Sequence, residues 1–348
     1  MMPIVHHIAQ LGLRVITGGL RAMDIALHLG AHRTGTTTFQ SYLRANADGL
    51  QRAGITAWTP KRTRHGFFNG LIRNARNEQF SAISESIRST GLIRIELERM
   101  ERRQMRFLIV SEENMIGSMH SNIRAGALYP NLSVRLERFL PAFEDRCVRI
   151  GLAIRSLDAY WASTYAYAVE MGRPWPTPSD LDRVVTHPRT WRDVIQDAAA
   201  VLPNVQFRVW AAERFISQPD VQLGIMTGAQ KVSRSSGARQ WHNRGPRLAQ
   251  LRDIASMTAD PQIQANLPDG DGRWMPFDSN QQHALREKYQ EDVAWLRNGA
   301  DGLATFIEDT KTQPMSGDTG WKNNSDSVEN FYGSPERGHS DGKRQEMG

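Results

Sequence analysis

The segment Gly30-Ala31-His32-Arg33-Thr34-Gly35-Thr36-Thr37 gathers two glycines, three threonines and a cation into eight consecutive residues. It follows an apolar run, Ile25-Ala26-Leu27-His28-Leu29. It precedes Thr38-Phe39-Gln40-Ser41-Tyr42-Leu43, in which Phe39, Tyr42 and Leu43 keep helical spacing. A strand, a glycine-rich turn and a helix in that order direct backbone amides and the positive end of the helix at an anion such as phosphate or sulfate. Gly30 and Gly35 have the spacing of a Walker A loop, but Thr36 occupies the lysine position and the cation appears three positions earlier as Arg33. The loop can hold an anion, yet it lacks the Lys-Ser/Thr pair that serves a nucleoside triphosphate with magnesium.

Two further groups of residues could act with it. Arg155 ends the apolar run Val148–Ile154, and Ser163 lies eight residues later on the helix that follows. A planar guanidinium fork and a hydroxyl so placed can converge on one phosphate. Carboxylates Glu112 and Glu113 follow the run Arg106–Val110, and His65 follows the short strand Ile55–Trp58. Glu113, His65 and Glu112 are the candidates for taking up a proton, His65 because an unperturbed imidazole titrates nearest neutrality. Arg244 and Gly245, in Arg239-Gln240-Trp241-His242-Asn243-Arg244-Gly245, form a basic, glycine-containing stretch ahead of a helix beginning near Pro246.

The elements that position these residues alternate. Strand-like runs at 25–29, 55–58, 106–110, 148–154 and 205–210 are each followed by helical patterns, including 191–201, 246–256 and 280–298. That order predicts an α/β fold of the P-loop type, with a mostly parallel sheet covered by helices on both faces. Its ligands are expected at the carboxyl ends of the strands, where every motif above falls.

Taken together, the loop Arg33-Thr34-Gly35-Thr36-Thr37, the Arg155/Ser163 pair with its continuation Ser163-Thr164-Tyr165, and Val110-Ser111-Glu112-Glu113-Asn114 resemble the bacterial sulfotransferases that use 3′-phosphoadenosine 5′-phosphosulfate (PAPS). The resemblance runs from about Asp24 to Asn298. It implies transfer of a sulfuryl group from PAPS to a hydroxyl or amine, with no metal ion. It also implies that His32, Arg33, Thr34, Gly35, Thr36 and Thr37 hold the 5′-phosphosulfate, Arg155 and Ser163 the 3′-phosphate, and Arg244 and Gly245 a loop over the nucleotide. Arg33 and Glu113 would be catalytic, with His65 as the other base candidate. The family usually carries lysine where Arg33 stands; arginine keeps the charge but cannot release a proton. A P-loop kinase or NTPase, and a nucleotide-binding relative without catalysis, are the alternatives. Asp292 and Trp295 resemble the closing helix of bacterial relatives, and as residues they read as parts of a packed amphipathic helix.

Composition sets the outer bounds. The chain has 348 residues, 40% hydrophobic and 23% charged, which is ordinary globular usage. Its net charge of +6, carried mostly by arginine, favours anionic partners. The cations are scattered rather than gathered in a stripe, so a nucleic-acid partner is not expected. A single cysteine, Cys147, removes any intramolecular disulfide or multi-cysteine zinc site, which fits a reducing, cytoplasmic setting. No run of 18 apolar residues is present, so no transmembrane segment is expected. Residues 1–22 read as a weakly amphipathic extension, with Met23 as an alternative start. Residues 23–311 form the sulfotransferase-like domain, and 312–348 a tail too polar to order. Segments 66–91 and 169–189 read as variable insertions around the acceptor, where Phe67, Phe68 and Trp175 could stack on a sugar, lipid or aromatic ring or could pack in the core. The acceptor class stays open among carbohydrate, lipid, peptide and small molecule.

Overall fold

A strand of a parallel sheet is covered on both faces, so its residues are apolar in both directions along the chain. Phe107–Ser111 shows this directly, with all five residues buried. The computed structural model describes residues 23–72, 79–228, 245–257 and 267–308. The proposed extension 1–22, the tail 312–348 and Arg244 lie outside them.

Six parallel strands make up the sheet: β1 (Asp24–His28), β2 (Ile55–Trp58), β3 (Phe107–Ser111), β4 (Cys147–Ile154), β5 (Gln206–Ala211) and β6 (Thr305–Phe306), in the order β2-β3-β1-β4-β5-β6. The first five fall where the apolar runs predict them. The two-residue β6, paired to β5 through Arg208 and Val209, is too short to carry a pattern.

Helices cover both faces. Among the described residues, those of nine residues or more are α1 (Thr36–Ala45), α2 (Gln79–Arg102), α3 (Leu157–Glu170), α4 (Pro178–Thr186), α5 (Trp191–Val201), α6 (Pro219–Thr227), α7 (Leu248–Ser256) and α8 (Ser279–Arg297). Alternation along the strands divides the core. Leu27, Val110, Ile150 and Leu152 face a large cluster containing Leu97 of α2, Tyr160 of α3 and Trp191 of α5. Ala26, Ile109, Ala153 and Trp210 face a smaller one with Phe39 and Leu43 of α1 and Met226 of α6. Gly151 permits this second approach, because a Cβ there would lie 2.2 Å from Met226 Sδ. No described helix is long and apolar enough to cross a membrane.

Two stretches that read as insertions contain regular structure. Segment 66–91 leads into the 24-residue α2. Segment 169–189 includes α4, which starts with a complete Thr177/Asp180 capping box. Phe68 is fully buried between Phe139 and Phe143 and is therefore core, not an aromatic surface for an acceptor. Trp175 packs edge-on against Trp274 at 5.2 Å and borders the core.

The chain leaves β1 toward β2 on one side and leaves β4 toward β5 on the other. Since β1 and β4 are neighbours, their carboxyl ends open the crevice where such sheets bind ligands.

Candidate functional site

The loop after β1 is forced into a tight turn by its residue types. Gly30 adopts φ +36°, and a Cβ there would lie 2.4 Å from Thr36 Cγ2 and 2.9 Å from His28 Cε1. Gly35 adopts φ +90° and serves as the N-cap of α1, with no side chain capping the helix. Arg33 also takes a left-handed φ of 64°, uncommon for a residue with a side chain. Thr34 Oγ1 closes the turn by donating to Ala31 O at 2.6 Å. An uncapped helix start preceded by such a turn is the backbone geometry that accepts an anion.

The arginine of this loop does not reach outward alone. Arg33 Nε donates to Ser163 Oγ at 3.0 Å, and its guanidinium carbon lies 4.9 Å from the centre of the Tyr167 ring, both residues being on α3. Arg155 Nη1 in turn donates to Arg33 O at 2.9 Å, while Arg155 Nε lies 3.6 Å from Glu213 Oε1 at the end of β5. Gly245 completes the group: a Cβ there would stand 2.7 Å from Arg33 Nη2 and 3.6 Å from Ser163 Oγ. Arg33, Ser163, Arg155 and Gly245 thus meet from four parts of the chain. Burial lowers the affinity of both guanidiniums for their proton; the carboxylates of Glu170, for Arg33, and Glu213, for Arg155, oppose that, and the charge of Arg273 lowers it further. Arginine stays charged across such shifts, so the crevice concentrates positive charge.

The sequence motifs do not include Arg273. It is exposed, and its charge acts on both Arg33 and Arg155. Its context, Gly270-Asp271-Gly272-Arg273, is a glycine-containing loop in which the charge of Asp271 offsets that of Arg273, so the local sequence gives no basic signal by which it could be found.

The carboxylates after β3 have different surroundings. Glu112 is fully buried and accepts from Thr63 Oγ1 (2.5 Å), Arg64 Nη2 (2.7 Å) and the Asn114 amide (3.0 Å), so it caps the short helical turn that begins at Glu113. Such a group is structural. Glu113 accepts from Gln40 Nε2 at 2.9 Å and from Arg64 Nη2 at 2.6 Å, and its side chain keeps 14% exposure. Burial alone would raise its pKa, but His32, Arg64 and the Gln40 bond outweigh burial and hold it below the usual carboxylate range. Gln40 lies on α1, so Glu113 stands beside the helix that begins in the anion loop.

His32 links the two halves of the site. Its backbone amide and Nδ1 both reach the Tyr129 hydroxyl, at 2.8 and 3.0 Å. With the Asn114 amide oxygen facing Arg64 Nη2 (3.1 Å), the Asn114 nitrogen donates to His32 Nε2 (3.1 Å). Burial lowers the His32 pKa, against the opposing pull of the Glu113 charge. Tyr129 holds it from a left-handed backbone, φ 43°, a conformation rare for an aromatic residue and typical of constrained sites. Neither Tyr129 nor Arg64 belongs to a sequence motif. Their partners lie 97 and 48 residues away, beyond any local pattern.

His65 is exposed in a kinked turn, with φ −104° and ψ 53°, and the structure gives it no hydrogen bond to the Glu113 group. Thr36 is buried against Gly30, and Thr37 is partly exposed beside it. Comparison with family models, curated proteins and solved structures gives no match.

Proposed function

We propose that the chain transfers a sulfuryl group from PAPS to a hydroxyl or amine acceptor. The observation that carries this reading is the meeting of Arg33, Ser163, Arg155 and Gly245 in the β1/β4 crevice beside an uncapped helix start. A nucleotide with phosphate groups at both its 3′ and 5′ positions matches a crevice in which the Arg33 guanidinium meets the Ser163 hydroxyl and Arg155 binds the Arg33 carbonyl beside them.

In this reading Arg33 and the first amides of α1 take the 5′-phosphate, and Arg155 with Ser163 takes the 3′-phosphate. The acceptor attacks sulfur in line. The bond from sulfur to the 5′-phosphate oxygen breaks and leaves its electron pair on that oxygen, while the acceptor proton passes to the Glu113 carboxylate. The protein contributes position and charge rather than covalent chemistry. Arg33 stabilises the leaving phosphate by charge alone. Glu113, held ionised at neutral pH, has a lone pair to take the proton.

The test is thermal. Adenosine 3′,5′-bisphosphate at about a hundredfold excess over its Kd, without magnesium, should stabilise the fold by about 2.7 kcal/mol. That corresponds to a rise in Tm of roughly 5 °C or more. ATP with magnesium should do much less. The reverse ranking would favour the kinase or NTPase reading, and stabilisation without label transfer from PAPS to any fraction of a source lysate would favour a non-catalytic relative.

A further inference from the structure

Asp292 is a buried carboxylate far from the crevice in sequence and unused by the chemistry above. It lies on α8 at 3% exposure and accepts from Thr190 Oγ1 (2.6 Å), Trp191 N (2.9 Å) and Arg192 N (3.3 Å). Among the described residues no cation lies within ion-pair distance of it. Burying an anion without a cation is expensive, so three hydrogen bonds must serve some end.

Starting α5 is not a sufficient end. That helix already carries its own capping box, in which Thr190 N donates to Asp193 Oδ2 at 2.7 Å and the Thr190 side chain serves the first turn. What Asp292 adds is the placement of Trp191. The Trp191 ring is fully buried against Tyr160 and Tyr129, and its indole Nε1 donates to Arg155 O at 2.7 Å. The same helix α8 sends Arg286 to Asp158, in the first turn of α3, at 2.6 Å. Helix α8 therefore grips the chain both at Arg155, through Trp191, and three residues after it.

We propose that Asp292 is a positioning residue for Arg155, acting through the Trp191 indole to fix the peptide from which the Arg155 guanidinium projects toward the 3′-phosphate. This rests on the PAPS reading. The side chain of Arg155 is long, and its Nη1 and Nε already bind Arg33 O and Glu213. Anchoring its backbone as well leaves the guanidinium few directions, which is how a remote residue sharpens recognition without touching the ligand.

The experiment measures affinity for adenosine 3′,5′-bisphosphate and adenosine 5′-phosphate by calorimetry in wild type, Arg155→Ala, Asp292→Asn and Trp191→Phe, with circular dichroism confirming the fold. Wild type should prefer the bisphosphate, and Arg155→Ala should lose about ten- to a hundredfold of that preference, the range of one charge-assisted contact. Trp191→Phe and Asp292→Asn should each lose about three- to tenfold of it while the monophosphate affinity stays within about twofold, a fraction of the Arg155 effect because the guanidinium itself remains. A purely structural role would lower both affinities together and leave the ratio unchanged, and that result overturns the inference. If Asp292→Asn does not fold, Trp191→Phe alone decides by the same ratio. A wild type without preference for the bisphosphate overturns the PAPS reading itself. A preference lost in Arg155→Ala but intact in Trp191→Phe keeps that reading and refutes the positioning.

Discussion

Replacing Arg33 by alanine should separate ligand binding from stability, because the structure makes opposite demands on this side chain. In the free protein Arg33 gives one hydrogen bond to Ser163 Oγ and one face-on contact with Tyr167. Contacts of these kinds are worth about 1.5 to 3 and 0.5 to 1 kcal/mol respectively. Against them stand the partial desolvation of the guanidinium and its crowding by Arg155 and Arg273, which both oppose its charge and are offset in part by the Glu170 carboxylate. Alanine at the left-handed φ of 64° is strained about as much as arginine, so the backbone adds little to the difference. Net loss of stability in the unliganded protein should therefore be about 1 kcal/mol, a typical value for a single substitution. With ligand the crowding reverses sign, since each phosphate neutralises the cations. The lost charge-assisted contact should then cost roughly 1.5 to 3 kcal/mol, about ten- to a hundredfold in affinity for adenosine 3′,5′-bisphosphate. Urea denaturation of the free protein and calorimetric titration of the ligand read the two quantities separately. A variant destabilised by more than about 3 kcal/mol with unchanged affinity would make Arg33 a packing residue and refute the reasoning.

The remaining expectations concern the carboxylates and the buried imidazole. Glu113→Gln should lower turnover on a verified acceptor by about a hundredfold or more while bisphosphate affinity holds, because a base acts mainly in the transition state. His65→Ala should leave turnover nearly unchanged, and the opposite pattern in kinetic assays would transfer the role to His65. His28, buried between Phe39 and Trp210, has its pKa pushed by burial down to about 4 from 6.5. The unfolded chain takes up that proton first, so acidification from pH 6.5 to 4 should cost about 3 kcal/mol of stability through this group. Asp292 works in the other direction: burial raises it to about 6, and protonation of the folded state between pH 6 and 3.8 should return about as much. Denaturant titrations across that range should show Asp292→Asn falling more steeply with acid than wild type, and parallel profiles would contradict the raised pKa of this carboxylate.

How much of the fold and site is legible in the sequence depends on whether the determinant is local. The anion loop is local: Gly30 and Gly35 are required by left-handed φ values within six residues, and their spacing alone announces the turn. The strands are equally legible where a strand covered on both faces shows as an apolar run, as in β3, and β5 shows instead as an alternation in which Phe207 and Val209 are buried while Gln206 is exposed. Helix α2 is the contrary case. It buries Ile93, Leu97 and Met100 but also carries Ile83, Ile87 and Ile95 at 56%, 68% and 49% exposure, with Gly91 between them. Apolar residues on both sides erase the one-sided periodicity by which an amphipathic helix is recognised, so the segment reads as an insertion.

Choosing between Glu112 and Glu113 requires the fold for a related reason. Adjacent residues leaving a strand face opposite ways, and only one of the two directions leads into the molecule. Here it is Glu112 that turns inward to Thr63 and the Asn114 amide, while Glu113 turns toward Gln40 and the anion loop, and Arg64 bridges the pair. What distinguishes the two carboxylates is thus a neighbour contributed from the turn after β2, itself fixed by β2 lying beside β3 in the sheet. Strand order is a property of long-range packing, and a residue whose role depends on strand order has no signature in its own flanking sequence. Arg155 lies between the extremes: its place at the end of β4 is local, whereas the Trp191 indole that holds its carbonyl arrives only because α8 docks α5 against that strand end.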